Sequence, residues 1–520
     1  MSMPPLRQQK PRQNALAKLF AEAGRHLDQG DFPPAIELLE RAHRLDPGDC
    51  KITLDLGHAC ALAYDLAAAA RWFDKALQAA PEKIWVLMAI ADHWSEVRDF
   101  DAAGKAYKEV LLQSTVPLGA FYGLAKIYTR QRRLDKAREI ADRAMQLHGD
   151  HEGALLTGAK VCRETGQLEQ AEKLLRSVLS KPGCEAEAHA TALYELGGVL
   201  DQQKRYDEAM AAWLDAKAIL RLTAEPATKI LRAKQASMRQ IQSSFSAATV
   251  ERWRRAAETD LQPRRNLALL GGHARSGTTL LEYVLDAHPR IVCADESSVF
   301  QSKVYPVAFR RGGAGASYVS ELDSVTPRNL RHLRTDYFRG IESFLGQTIG
   351  DRLLIDKNPA LTFDIPALCR VLPETKFLVA LRDPRDVCLS CFMQPAPMVP
   401  DSVPWLSLEE TIKHYALTSD MWLAMKPCLG DAALVVRYED LIEDLQASAR
   451  RVLQFLGVGW DDRVLRFNEH AQTKTVRSPT YAEVTRPVFK TAMGRWRNYQ
   501  KYFEPHLAHL SSTLRALGYE

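Results

Sequence analysis

The chain has 520 residues, 46% hydrophobic and 26% charged, which is ordinary globular composition with room for two to four domains. A formal net charge of +5 is mild for this size and argues against a nucleic-acid binder, which would show a concentrated basic face. No run approaches the ~18 apolar residues of a membrane helix.

The first fourteen residues, MSMPPLRQQKPRQN, are polar and proline-bearing; residues 1–14 are expected to be disordered and are neither a signal peptide nor an anchor. A repeat array follows over 15–222. Alanines recur at Ala35, Ala69, Ala103, Ala137 and Ala171, each 34 residues apart, and Ala209 follows after 38. Four residues past these come Leu39, Phe73, Tyr107, Ala141, Leu175 and Trp213; twelve before them lie Ala23, Gly57, Ala91, Ala125, Ala159 and Gly197. Antiparallel helix pairs approach closely only where facing positions are small, and a large residue from the next unit is expected to fill the groove. The pattern resembles the tetratricopeptide repeat (TPR) in six units, so the expected fold is an α-helical TPR solenoid. The four extra residues before the sixth unit fall between Lys181 and His189. Such arrays form a groove that holds a protein or peptide segment; the bland alternatives are a spacer or a homodimer surface. Residues 223–263 read as a helical linker, with helices over 229–238 and 249–257.

The stretch that organises the second part, 264–520, is Asn266 to Glu296. An apolar run, Leu267 to Leu270, leads through Gly271 and Gly272 into His273-Ala274-Arg275-Ser276-Gly277-Thr278-Thr279 and a helical pattern stopped by Pro289. Strand, glycine loop and helix start make an anion cradle, because free N–H groups and the helix dipole face the ligand. Gly272-x4-Gly277 has P-loop spacing, but Thr278 stands where the lysine should be and the cation is Arg275. The loop therefore suits a nucleotide that is not simply ATP.

Further apolar runs at 352–356, 376–381 and 432–438 alternate with helical ones, as in a central parallel sheet covered on both faces. In such sheets ligands sit at the carboxyl ends of the strands. Arg382, at the end of LRDPRDVCLSCF, and Ser390 in the following helix can clamp a second phosphate; Arg385 can pair Asp383 or Asp386. Nine cysteines, odd in number and scattered, make no disulfide framework and suit a reducing, cytoplasmic compartment; Cys388-x-x-Cys391 lacks a second pair and reads as small core residues.

With two anion clamps, the second half resembles the sulfotransferase family, whose donor is 3′-phosphoadenosine 5′-phosphosulfate. HARSGTTLL is similar to its 5′-phosphosulfate loop and RDPRDVCLSCF to its 3′-phosphate motif; Arg275 and the run Leu285 to Pro289 bring it nearer the tyrosylprotein sulfotransferases. The fold implied is an α/β P-loop-like domain. The resemblance places Arg275, Ser276, Gly277, Thr278 and Thr279 at the 5′ end, Arg382 and Ser390 at the 3′-phosphate, and Tyr438 against the nucleotide. It makes Arg477-Ser478-Pro479 through Arg486-Pro487 a closing loop, with Ser478 as a contact and Arg495 as a phosphate ligand where the family has Lys. It makes Glu296 the base, with Asp295 its competitor, and Lys357 a second cation at the sulfuryl group; two adjacent carboxylates should also repel and raise one pKa. His273 is expected to position the loop, and His288 to pack at a helix end. The stretch Phe300 to Gly350 carries none of the resemblance. Sulfuryl transfer needs no metal, and no metal-ligand cluster is apparent in the sequence. The acceptor hydroxyl is open between tyrosine, glycan, lipid and small molecule. The rival readings are a scaffold with an inactive nucleotide domain and a kinase-like P-loop enzyme.

Overall fold

The structure, a computed structural model, describes residues 6–28, 31–114, 117–304, 318–395, 398–472 and 492–520. Six helix pairs open the chain: α1 Leu6–Asp28 with α2 Phe32–Leu45, α3 Cys50–Leu62 with α4 Leu66–Ala79, α5 Lys83–Glu96 with α6 Phe100–Gln113, α7 Leu118–Arg130 with α8 Leu134–His148, α9 Glu152–Glu164 with α10 Leu168–Leu179, and α11 Ala186–Gln202 with α12 Tyr206–Arg221. The first helix starts at Leu6, inside the stretch expected to be disordered. Every alanine of the 34-residue register is fully buried. Turns within repeats use a left-handed residue, as at Tyr64 (φ 55°) and Arg98 (φ 61°), and then an N-cap: Asp65 and Asp99 accept from Ala68 N and Ala102 N at 3.0 Å.

The groove filler is not drawn from the next unit. A Cβ on Gly57 would lie 2.4 Å from the Phe73 ring, and one on Gly197 would lie 2.3 Å from Trp213 Nε1, so each glycine admits the large residue of its own partner helix. Gly123 admits Tyr107, from the preceding repeat. The short turn joining the two helices of a repeat brings the large residue of the second helix onto the first at Gly57 and Gly197.

After α13 (Glu225–Ser244) and α14 (Ala247–Asp260) comes the sheet: β1 Leu267–Gly272, β2 Ile291–Asp295, β3 Leu353–Lys357, β4 Lys376–Leu381 and β5 Ala433–Arg437. All neighbours are parallel, in the order β2-β3-β1-β4-β5. Helices α15 (Thr278–Asp286), α16 (Tyr318–Ser324), α17 (Pro327–Leu345), α18 (Ile365–Val371), α19 (Pro384–Phe392), α20 (Leu408–Leu429), α21 (Tyr438–Glu443) and α22 (Leu445–Leu456) lie between and after the strands. No helix among the described residues is long and apolar enough to cross a membrane.

Packing divides the chain into two compact units that do not follow the sequence divisions at 222 and 263. One comprises Met1–Ile127, Ser297–Arg311 and His332–Thr348; the other comprises Tyr128–Glu296, Gly312–Arg331 and Ile349–Glu520. Within the first, Tyr64 stacks edge-on against Phe344 (5.5 Å) and its hydroxyl accepts from Ser298 N (3.2 Å), so residues between β2 and β3 pack on the early repeats. Within the second, Leu196 and Trp213 of the last repeat share one hydrophobic core with Val387, Phe392, Trp496 and Tyr499. A separate core of Leu270, Leu281, Ile355, Leu378 and Leu453 holds the sheet against its helices.

Candidate active site

The loop after β1 is built by conformation as much as by side chains. Gly272 has φ 136°, and a Cβ there would meet Ala380 O at 2.5 Å; its N–H and C=O are bracketed by Thr362 Oγ1 at 3.3 and 3.0 Å. Gly277 (φ 91°) caps α15, and a Cβ there would lie 2.5 Å from Tyr438 Cδ2. Ser276, Thr278 and Thr279 are buried at the helix start. Arg275 (φ 71°) donates from Nε to Ser390 Oγ at 3.0 Å, and its carbonyl accepts from Arg382 Nη1 at 3.4 Å. The two loops singled out in the sequence are therefore tied to each other.

Arg382 is buried, with its guanidinium 4.9 Å from the Tyr438 ring and 3.8 Å from Asp386. Its Nη2 donates to Ala492 O, while its Nε is buried with no hydrogen-bond partner among the described residues. A buried guanidinium with an unsatisfied donor beside a glycine cradle fits an anion. Burial raises the Asp386 carboxyl despite Arg382, and it accepts from Gly494 N (2.7 Å) and Trp496 N (2.9 Å). Arg385 pairs Asp383 at 2.8 Å, not Asp386. Arg495 is ion-paired with Asp201 of α11, whose other oxygen accepts from Tyr499 OH at 2.6 Å. Its partner is thus a repeat residue and not the Arg382 cluster. Ser478, with the rest of the 477–487 segment, lies outside the described residues.

At the other end of the site, Lys357 Nζ, fully buried, lies 2.6 Å from Asp295 Oδ1, 3.2 Å from Glu296 Oε1 and 3.2 Å from Glu282 Oε2. Burial works against its charge, but Asp295, Glu282 and Glu296 outweigh it and hold the ammonium protonated. The carboxyl raised by crowding is Glu282, pushed well up by burial and by Asp295. Glu296 follows β2 in the left-handed region (φ 53°), its N–H donating to Lys357 O at 2.7 Å. Among the described residues from β1 onward, the non-glycine residues at positive φ are Arg275 and Glu296. Such strain costs about 1–3 kcal/mol and gathers where function over-determines the backbone.

The His273 ring lies 4.8 Å from that of Tyr415, tilted by 53°, with burial lowering its pKa, and His288 donates from Nε2 to Gly459 O at 2.9 Å, both as supporting groups. Cys388 and Cys391 are buried thiols in the core. Glu282, Thr362 and Asp201 escaped the sequence reading, which named Asp386 only as a possible partner of Arg385. Glu282 had a signal, a carboxylate inside the apolar run TTLLEYVL; Asp201 had none, since its partners lie almost 300 residues away.

Residues 266–462 match the sulfotransferase family, and 20–84, 89–151 and 156–219 match the tetratricopeptide repeat. This chain joins tetratricopeptide repeats to a sulfotransferase-family domain. A chicken (Gallus gallus) protein-tyrosine sulfotransferase 2 is 27% identical over 271 residues, 49% of this chain and 69% of that protein. An uncharacterised protein of Aquifex aeolicus is 22% identical over 425 residues, 77% of this chain but only 51% of that protein. Among solved structures, the sulfotransferase domain of the Synechococcus PCC 7002 olefin synthase is 19% identical, covering 47% of this chain and 96% of that one, with a TM-score of 0.33.

Proposed function

We propose that the sulfotransferase domain moves a sulfuryl group from 3′-phosphoadenosine 5′-phosphosulfate to an acceptor hydroxyl, with protein tyrosine as the acceptor and the repeats as the surface that binds the acceptor or a partner. The observation that carries this reading is the order of groups along the carboxyl edge of the sheet. Glu296 follows β2, Lys357 ends β3, the glycine loop follows β1, Arg382 follows β4 and Tyr438 follows β5, in the spatial order β2-β3-β1-β4-β5. Three inter-strand steps of ~4.8 Å separate the β2 and β4 ends by roughly 14 Å, which leaves room for an extended ligand between them. The relatives' names point to tyrosine, and nine free thiols suit the cytoplasm.

In this reading the acceptor oxygen attacks sulfur in line. Glu296 takes the hydroxyl proton, the new O–S bond forms, and the bond from sulfur to the phosphate oxygen breaks. Arg275 and the N–H groups of α15 meet the charge developing on that oxygen, and adenosine 3′,5′-bisphosphate leaves with Arg382 and Ser390 at its 3′-phosphate. Lys357 anchors Glu296 and brings a fixed cation close to the transferred group.

Calorimetric titration with adenosine 3′,5′-bisphosphate, with magnesium-ATP as the control, tests the donor site. Binding weakened 10- to 100-fold by Arg382→Ala is expected from the loss of a charge-assisted bond of about 1.5–3 kcal/mol. Glu296→Gln should keep that affinity while lowering transfer from labelled donor to tyrosine peptides by about 10²-fold or more. No binding at millimolar nucleotide would overturn the donor assignment; label entering glycan or lipid would overturn the acceptor.

A further inference from the structure

The first packing unit holds a group of side chains that the transferase reading does not use. His58 on α3 and His93 and Glu96 on α5 place one ligand atom each within 4.8 Å of one another. The two imidazoles stack with centroids 3.9 Å apart and planes 18° apart, and His58 Nε2 lies 2.8 Å from Glu96 Oε2. His93 and Glu96 are three residues apart on one helix face, and His58 reaches them from the neighbouring repeat.

We propose that His58, His93 and Glu96 form a binding site for a divalent transition metal, zinc by preference, on the second and third repeats. Two nitrogens and one carboxylate oxygen make a borderline-soft donor set that favours zinc over magnesium or calcium. In a tetrahedral zinc site, bonds of about 2.0–2.2 Å place ligand atoms about 3.3–3.5 Å apart, so small side-chain rotations close the site around an ion. Three protein ligands leave a fourth position for water or an incoming donor.

Two further observations bear on this. The His93 ring has no hydrogen-bond partner among the described residues, although it is half-buried and braced by the parallel ring of Phe73 at 6.0 Å. The repeat consensus does not explain the pair. Position 58 plus the 34-residue period is Asp92, so the histidines occupy different repeat positions and meet only by design of this interface. Their separation of 35 residues also explains why the sequence shows no metal-ligand spacing.

The test is cobalt titration of the full chain after treatment with a chelator, followed by visible absorption and zinc competition. One cobalt per chain, with a d–d spectrum displaced by zinc but not by magnesium or calcium, is expected. His93→Ala and Glu96→Gln should each weaken binding at least 10-fold, and the double variant should abolish the spectrum. The Glu96 side chain is 54% exposed, so Glu96→Gln tests the site without disturbing packing. Binding of adenosine 3′,5′-bisphosphate should be unchanged in both variants, which keeps this outcome separate from that of the donor site. No cobalt spectrum, or the same spectrum in the double variant, would overturn the proposal.

Discussion

Lys357 shows how much of the site rests on one side chain. It is a fully buried ammonium among Glu282, Asp295 and Glu296. Three ionised carboxylates around one cation would leave excess negative charge in a buried place, so the most enclosed of them, Glu282, holds its proton. Lys357→Met should therefore cost about 3–5 kcal/mol in urea unfolding at neutral pH, because it strands the carboxylates. Glu282→Gln, which copies the protonated acid, should not destabilise the chain at neutral pH. The sign with pH follows. A carboxyl raised in the folded state contributes stability below its ordinary 4.5 that is lost as pH rises, so Glu282→Gln should gain on wild type from acid toward neutral pH. Equal losses for the two variants would contradict this assignment of the proton.

Between elements, the joint of α12 with α19 carries a second buried amine. Lys217 is fully enclosed, 4.7 Å from the Phe392 ring and 3.3 Å from Gln394 O, and burial lowers it to about 7. From pH 10.5 down to about 7 the unfolded chain takes up a proton that the folded chain refuses, so folding weakens as pH falls through that window. Wild type should show up to about 1.4 kcal/mol of extra pH slope per unit between pH 8 and 10 relative to Lys217→Met. The Met variant should be at least as stable at pH 8. In the same repeat, Gly197→Ala should cost about 1–3 kcal/mol, since Trp213 is pinned by its Nε1 donating to Tyr194 O at 3.2 Å and cannot retreat from a new methyl. These helix contacts also mark what the sequence makes legible. The 34-residue alanine register, four of the five strands and the glycine loop with Arg275, Arg382 and Ser390 are local patterns whose physics is set by neighbours in sequence. Glu282 beside Lys357 and Asp201 beside Arg495 depend on where distant segments arrive. A period or motif does not encode that.

At the scale of the whole molecule, the last repeats and the sulfotransferase domain share one core and are not separate bodies joined by a linker. Leu196, Trp213 and Ala216 bury the same core as Val387, Phe392, Trp496, Tyr499 and Phe503, and Asp201 receives both Arg495 and Tyr499 OH. A fragment spanning only the family-matched second half would expose several of these aromatic rings and strand the Arg495 guanidinium. Single aromatic truncations in a core cost about 3–5 kcal/mol each, comparable with the whole stability of a typical domain. Removal of residues 1–263 should therefore leave a chain without a cooperative thermal transition, binding a hydrophobic dye and not adenosine 3′,5′-bisphosphate. Removal of residues 1–127 alone keeps this core, so calorimetry of that chain should still show one cooperative transition for the packing unit that begins at Tyr128. Exposure of Phe344 and Tyr337, which lie with the early repeats, should raise dye binding without abolishing the transition. A fully cooperative, nucleotide-binding fragment 264–520 would mean that the last repeats add surface rather than core.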